Sequence, residues 1–347
     1  NIMLTILIIL SCFYLLVNAD TECPISPLTV GDRRPNKDIL RLVQYNVEWL
    51  FLDYYSQSNC PGSGCTWKTE TDAQTHTNYI SNVIKALNPD IINFCEIEGC
   101  DELSSVQKST NTTFIGYLKK GTDTSTGQNV GLLVKVDPSV SLYRDESRES
   151  YPIEGSKCGY TGPSGTTGVS KHYITEFNNL ISNTNIAVIG AHLLAIPTDP
   201  TRCAEREAQA QVIQNVVTNY IQKGYEVVVL GDMNDFDGDI LDINNNKPTS
   251  QVLSILKGNA GKNKGKYQLY SVGEKVTNQS QRYTDWYDSD NNCNTNSVKD
   301  LSTIDHVLVT PNLYNRINNV FYYHGYNISC STYNSDHYPV VVDILTN

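Results

Sequence analysis

Positive charge is scarce in this chain: 26 Lys+Arg face 37 Asp+Glu across 347 residues, a formal net charge of −11. That balance excludes a general basic coat for nucleic acid or anionic membrane, both of which carry the same sign, while leaving room for a local cationic groove. Also missing are a second long apolar run after residue 17, any internal repeat, and any stretch that reads as an interdomain linker. No pair of Cys-x-x-Cys motifs and no Cys/His cluster has zinc spacing, so structural zinc is not expected. What remains, with 39% hydrophobic and 18% charged residues, is the composition of an ordinary globular protein, neither disordered nor fibrous.

Residues 2–17 are almost wholly apolar and lead into Val17-Asn18-Ala19, which reads as a secretory signal over residues 1–19. The run falls short of the roughly 20 residues that span a bilayer, so cleavage and secretion are expected, with no stable membrane anchor. Residues 20–38 read as an N-terminal extension and 39–347 as one domain. Cys12 leaves with the signal; Cys23, Cys60, Cys65, Cys95, Cys100, Cys158, Cys203, Cys293 and Cys330 remain. An odd set in an oxidising compartment implies disulfide bonds plus a leftover thiol, for which Cys95, inside an apolar run, is the candidate. Cys60 with Cys65, Cys158 with Cys203, and Cys293 with Cys330 form a trial pairing that spacing alone does not fix. Asn-x-Ser/Thr sequons at Asn111, Asn278 and Asn327 agree with a secreted glycoprotein.

Apolar periodicity predicts strands at 39–47, 91–95, 130–136, 173–177, 186–191, 225–230, 304–309, 320–323 and 340–344. Tyr79, Ile80, Val83, Ile84 and Leu87 recur at helical spacing until Asn88-Pro89. Residues 205–223 form the clearest helix, with Ala208, Val212, Val216, Tyr220 and Ile221 on one face and Gly224 as its stop. Strands alternating with amphipathic helices predict an α/β layered domain. Segments 53–76, 144–172 and 242–299 read as surface insertions.

Polar residues follow these strands repeatedly: Asn46, Glu96, His192, Asp232 with Asn234, Asp305 with His306, and Asp336-His337 just before the last strand. Strand ends are where layered α/β sheets present side chains to a cleft. Carboxylates and an amide without a thiolate cluster suit a hard cation such as Mg, Mn or Ca, and imidazoles suit proton transfer. A hard cation assists chemistry on phosphate oxygens, which points to phosphoester hydrolysis.

The segments QYNVEWL, PDIINFCEIE, VIGAHL, VVVLGDMND, STIDHVLV and NSDHYPV, in this order, resemble the endonuclease/exonuclease/phosphatase superfamily, which includes secreted deoxyribonucleases related to deoxyribonuclease I. The resemblance implies an α+β four-layer sandwich of two packed mixed sheets flanked by helices. It makes Glu96 the principal metal ligand, Asn46 a second ligand or phosphate-orienting amide, and Asp336 a residue facing the cation. Asp232 and Asn234 would position the attacking water and a phosphate oxygen, and His337, oriented by Asp305, would be an acid/base or phosphate-binding imidazole. His192 would be the second imidazole across the phosphate. Where secreted deoxyribonucleases carry an acid to orient that imidazole, this chain has Gln128-Asn129, so an amide, Glu98 or Glu176 is left for the task.

Other features have blander readings. Arg206 is expected in a structural ion pair, Trp49-Leu50-Phe51-Leu52 in packing, and Lys257, Lys262, Lys264 and Lys266 in a solvated loop or along a phosphate backbone. Tyr283, Trp286 and Tyr287 offer either a stacking platform or core closure. The leading expectation is a secreted, monomeric, metal-dependent phosphodiesterase acting on nucleic acid, DNA ahead of RNA. A sphingomyelinase-like phospholipase C and a non-catalytic binding module on the same fold are the alternatives.

Overall fold

The computed structural model describes Cys23 and residues 30–53, 60, 64–110, 113–181 and 184–347. The expected signal at 1–19 and the sequon at Asn111 lie outside these residues. No described helix is long and apolar enough to cross a membrane.

In chain order the elements begin with β1 (Ile39–Leu50), α1 (Glu70–Leu87), β2 (Ile91–Ile97), α2 (Cys100–Thr110), β3 (Ile115–Leu118) and β4 (Asn129–Val134). A ribbon of β5 (Glu149–Tyr151) and β6 (Gly165–Thr167) precedes β7 (Lys171–Ile181), β8 (Thr184–His192), α3 (Pro200–Gln222) and β9 (Glu226–Asp232). Then come α4 (Val252–Leu256), β10 (Tyr270–Ser271), β11 (Asp285–Trp286), β12 (Leu301–Ser302), β13 (Asp305–Val309), α5 (Pro311–Asn315), β14 (Ile317–Tyr322) and β15 (Val340–Leu345). One sheet runs β14-β15-β1-β2-β4-β3 and the other β10-β13-β9-β8-β7, with parallel pairing at β1/β2 and β8/β9 and antiparallel pairing elsewhere.

The burial pattern explains the layers. Leu42, Val130 and Val342 from one sheet meet Tyr173, Val188, Val228 and Val307 from the other in a shared core. The opposite face of the first sheet packs Val43, Ile92 and Val341 against Ile80 and Ile84 of α1 and Leu103 and Val106 of α2. The opposite face of the second packs Ile189 and Val229 against Val212 and Val216 of α3 and Leu253 and Leu256 of α4. Strands buried on both faces read as continuous apolar runs, which is why Val227 to Leu230 shows no alternation. The result is the four-layer sandwich, helix, sheet, sheet, helix.

Local signals act as expected at the helix ends. Thr69 accepts from Asp72 N at the start of α1, and Asn88 closes it in the left-handed conformation. Asp199 caps α3, with Pro200 in its first turn. The surface-insertion reading of 242–299 is corrected: Val252, Leu253, Ile255, Leu256 and Leu269 are buried, and β10 extends the second sheet. Segment 53–76 also contributes the first turns of α1 and the fully buried His76.

Four disulfides form, Cys23–Cys100, Cys60–Cys65, Cys158–Cys203 and Cys293–Cys330, leaving Cys95 buried and free. Three of these match the trial pairing; Cys23–Cys100 joins residues separated by 77 positions, beyond what spacing reveals.

Candidate active site

Both parallel strand pairs end at the same edge of the sandwich, and the polar residues that follow them converge there. In β1/β2 the register sets Asn46 opposite Cys95, one residue short of Glu96. In β8/β9 it sets His192 opposite Asp232, and in β9/β13 Asp305 opposite Asp232. Register shifts interrupt β1/β2 beyond Asn46 and β2/β4 between Cys95 and Ile97. Within them Glu48, Trp49 and Glu96 adopt positive φ of 45°, 49° and 68°. Bulges and left-handed non-glycine backbone re-aim side chains, and they are retained where the surroundings enforce them. Gly231, at φ 155°, is required by close approach: a Cβ there would lie 1.7 Å from Ala191 O.

Hydrogen bonds join the cluster. Asn46 Nδ2 donates to Glu96 Oε1 at 3.2 Å and Asp232 Oδ2 at 2.9 Å, while its Oδ1 accepts from Glu48 N at 3.1 Å. As placed, the amide braces two carboxylates with its nitrogen. Glu96 Oε2 accepts from Trp49 N at 3.1 Å. Asn234 donates its backbone N–H to Asp232 Oδ1 at 2.9 Å and its side-chain amide to Leu193 O at 3.2 Å. Asp305 accepts from Gln44 Nε2 at 3.0 Å and lies 2.7 Å from His337 Nδ1 through Oδ2. Ser335 Oγ donates to Asn46 O at 2.7 Å and accepts from His337 N at 3.0 Å, tying the end of β1 to the His337 loop. All eight residues expected at the site therefore belong to one connected cluster, with Asp336 Oδ1 3.8 Å from His337 Nε2.

The electrostatics are those of crowded acids. Burial and the neighbouring Asp305 push the Asp232 carboxyl up to about 8. Burial likewise raises Asp336 to about 7 and Asp285 to about 6, despite the opposing field of His337. Glu48 is raised by burial and by Asp336 and Glu96. For His337, burial alone would lower the imidazole, but Asp305, Asp336 and Asp285 outweigh it and hold the ring well above the ordinary histidine value. His192 goes the other way: burial, then the charges of Lys171 and His337, keep it well below that value and neutral.

His192 Nε2 faces Asp232 Oδ2 at 3.6 Å and Glu96 Oε1 at 3.9 Å, but its buried Nδ1 has no hydrogen-bond partner. The expected orienting groups are engaged elsewhere. Gln128 Oε1 accepts from Lys171 Nζ at 3.1 Å, Glu98 from Leu52 N, Glu176 from the Tyr220 and Tyr225 hydroxyls, and Asn129 Oδ1 from Gly121 N. Lys171, the cross-strand partner of His192, stands on the flank where an acid was expected.

Sequence reasoning missed Glu48, Asp285, Ser335 and Lys171. Glu48 accepts from Asp336 N at 3.0 Å, and Asp285 lies 3.6 Å from His337 Nε2. Glu48 and Ser335 sat inside QYNVEWL and NSDHYPV, where position in the motif was the available signal. Arg206 is the structural staple expected of it: fully buried, it pairs with Asp235 at 3.0 Å and donates to Leu194, Ile196 and Pro197 carbonyls. It thereby locks the loop after His192 to the loop after Asn234. Within the lysine run, Lys257 is buried against Asp237 and Asp239 and Lys262 pairs with Glu149, while Lys264 and Lys266 are exposed. Trp286 closes a small core with Ile328 and Tyr338, Tyr283 stacks on His324 at 3.7 Å, and Tyr287 stays exposed.

The donor set fits a divalent cation. Glu96, His192 and Asp232 each offer a ligand atom within 4.8 Å of the others, as do Asp232, Asp305 and His337. Asp336 Oδ1 is buried without a hydrogen-bond partner. Oxygen-rich, proton-retaining carboxylates with one orphaned oxygen are what a hard cation would satisfy.

Comparison with known proteins agrees with this fold. Among solved structures, an endonuclease/exonuclease/phosphatase family protein from Bacteroides vulgatus superposes with TM-score 0.53 at 12% identity over 89% of this chain and 99% of its own. A family member from Bacteroides thetaiotaomicron gives 0.52 at 14% identity over 89% and 98%. A humanized TDP2 from D. rerio gives 0.51 at 13% identity over 89% and 100%. Such identities establish the fold alone. No curated protein matches the chain in sequence. The model of the Endonuclease/Exonuclease/phosphatase family matches residues 43–325, a span that begins in β1 and takes in Glu96, His192, Asp232 and Asp305. With the fold, the order of strand-end residues and the family match in agreement, the chain belongs to the endonuclease/exonuclease/phosphatase family.

Proposed function

We propose that the protein is a secreted, divalent-cation-dependent phosphodiesterase that hydrolyses nucleic acid, DNA in preference to RNA. Membership of a family whose members hydrolyse phosphoesters supports the reaction class, and the resemblance to secreted deoxyribonucleases supports the substrate. The observation that carries the reading is the buried Asp305–His337 pair set beside Asp232 and Glu96.

Each side chain has a part that follows from its charge. Glu96, with Asp336 and Asn46, would hold a Mg, Mn or Ca ion that offsets charge developing on the phosphate oxygens. Asp232, raised to about 8, is poised to take a proton from the attacking water near neutral pH. Asn234 N–H and Asn46 Nδ2 fix the orientation of that carboxylate. His337, kept protonated by Asp305, donates from Nε2 to the departing oxygen. His192, neutral and facing the same carboxylates, donates a hydrogen bond to a phosphate oxygen rather than carrying charge.

The phospholipase alternative asks for an apolar element free to enter a bilayer. Phe51 is buried and packs with Trp49 against the Cys60–Cys65 disulfide, so the aromatic run serves internal packing. A panel of plasmid DNA, RNA and sphingomyelin vesicles, each with Mg and with EDTA, tests the reading. Mg-dependent nicking of plasmid supports it. Intact plasmid alongside phosphocholine release would transfer the assignment to the lipid class, and inert behaviour on every substrate would favour a binding module.

A further inference from the structure

Beyond His192 the chain runs Leu193-Leu194-Ala195-Ile196-Pro197, and Ile196 sits in left-handed backbone at φ 68° with 50% of its surface exposed. Among the described residues it is the one β-branched side chain at positive φ; Asn88, Asn179, Asn245 and Asn291 fill comparable positions elsewhere. Two steric rules oppose isoleucine there. Branching at Cβ crowds the left-handed region, and the residue before a proline is pushed toward extended backbone.

The backbone is held in this shape from outside. Arg206 donates to the carbonyls of Leu194 at 2.9 Å, Ile196 at 3.2 Å and Pro197 at 2.9 Å, while its Nε pairs with buried Asp235 at 3.0 Å, next to Asn234. Leu193 N donates to Asp232 O at 3.0 Å, and Leu193 O accepts from Asn234 Nδ2 at 3.2 Å, so the root of the loop is joined to the site. None of these bonds uses the Ile196 side chain. A strained residue persists where its surroundings over-determine it, yet Asn or Gly would occupy the same conformation at less cost. Packing does not account for isoleucine, since half of the residue stays in solvent.

What the branched group supplies is a stiff apolar tip, beside exposed Ala195, at the strand-end edge that carries the cleft. With one large side chain, and with Thr198 and Asp199 following, the tip is too small and too polar in its surroundings for a lipid anchor. A single apolar wedge suits base edges or a base step. We infer that Ile196 is a specificity-determining contact that packs against the bases flanking the scissile phosphate of a nucleic acid, presented by the Arg206 staple. The inference rests on the nucleic-acid reading above and adds to it a part of the substrate beyond the phosphate.

The test compares wild type, Ile196→Asn and Ile196→Met in Mg2+ on plasmid DNA and on bis(p-nitrophenyl) phosphate, a diester without bases, together with thermal unfolding. Asn is at home at positive φ, so Ile196→Asn should raise Tm by about 1–3 °C. It should also lower kcat/KM on plasmid by about 5–20-fold, mostly through KM, with the small diester affected far less. Ile196→Met, apolar and unbranched, should lose far less on plasmid than Ile196→Asn. A gain in stability coupled to a loss on the polymer alone is not what a packing residue gives. Plasmid cleavage by Ile196→Asn equal to wild type, a parallel fall on both substrates, or a lowered Tm would overturn the inference and leave the nuclease reading standing. Wild type that hydrolyses the small diester but spares plasmid would remove both. Sphingomyelin vesicles that recruit wild type but not Ile196→Asn would assign the tip to a lipid surface and overturn the inference equally.

Discussion

Asp305 Oδ2 and His337 Nδ1 lie 2.7 Å apart at the buried base of the cleft, and the far nitrogen of the same ring faces Asp285 at 3.6 Å and Asp336 at 3.8 Å. An imidazole placed this way keeps its proton, so its value to a phosphodiesterase is as an acid. The pairing fixes both the orientation and the charge of the ring.

Asp305→Asn should therefore lower kcat by about 10²–10⁴-fold with KM changed much less. Because Asp305 raises the histidine, its loss lets His337 deprotonate at lower pH. The alkaline limb of the kcat profile should move down in the variant. A profile that keeps its limb where wild type has it would assign the acid to another group.

Cation binding should release protons. With Asp232 at about 8, Asp336 at about 7 and Asp285 at about 6, the metal-free cleft holds protons at pH 7 that a cation must displace. Affinity for Mg2+ should rise from pH 6 to pH 8, and the protons released per ion should fall as pH climbs past 8. Calorimetry in buffers of differing ionisation enthalpy reads both; zero release at pH 6.5 would contradict the picture.

Glu98 and Glu102 each turn an oxygen to Leu52 N at 3.1 Å. Burial, then the charge of Glu98, pushes Glu102 up to about 8 from 4.5. The folded protein thus holds a proton that the unfolded chain has released, and stability falls as pH rises between about 4.5 and 8. Glu102→Gln should remove that slope and exceed wild type by about 1–2 kcal/mol at pH 8.5, measured by urea unfolding across the range.

Arg206→Met would strand Asp235, which is fully buried and already raised by burial. A loss of about 3–5 kcal/mol is expected from breaking one side of such a pair. Arg206→Met with Asp235→Leu should recover much of it, since well-packed apolar pairs replace buried ion pairs without large cost. Urea unfolding of the single and double variants measures the recovery.

Much of this site was legible because the strands before it are buried on both faces. Against the apolar runs at Ile91 to Cys95 and Val227 to Leu230, a single Glu96 or Asp232 stands out, and the order of such breaks carried the family resemblance. Glu48 and Asp285 were hidden for physical reasons. Glu48 reaches the cleft only because β1 bulges into left-handed backbone, which no periodicity announces. Asp285 belongs to a strand of two residues inside 242–299, too short for a period-2 signal. The same brevity concealed α4, five residues long, and led to a solvated reading of a segment that fills the core. In α2 the buried set is Glu102, Leu103 and Val106, too sparse a stripe to read as a helix. Burial lowers the His192 imidazole, and Lys171, which adds to that effect, lies twenty-one positions away in the chain and is adjacent only through β7/β8 pairing.

The most direct measurement is the rate of plasmid cleavage by wild type, Glu96→Gln and His337→Ala, each with Mg2+ and with EDTA. Wild type should cleave with Mg2+ and stop in chelator, and both variants should fall by several orders of magnitude while remaining folded. Cleavage by wild type that persists in EDTA, or a His337→Ala rate close to wild type, would contradict a single cation-bearing cleft worked by that histidine.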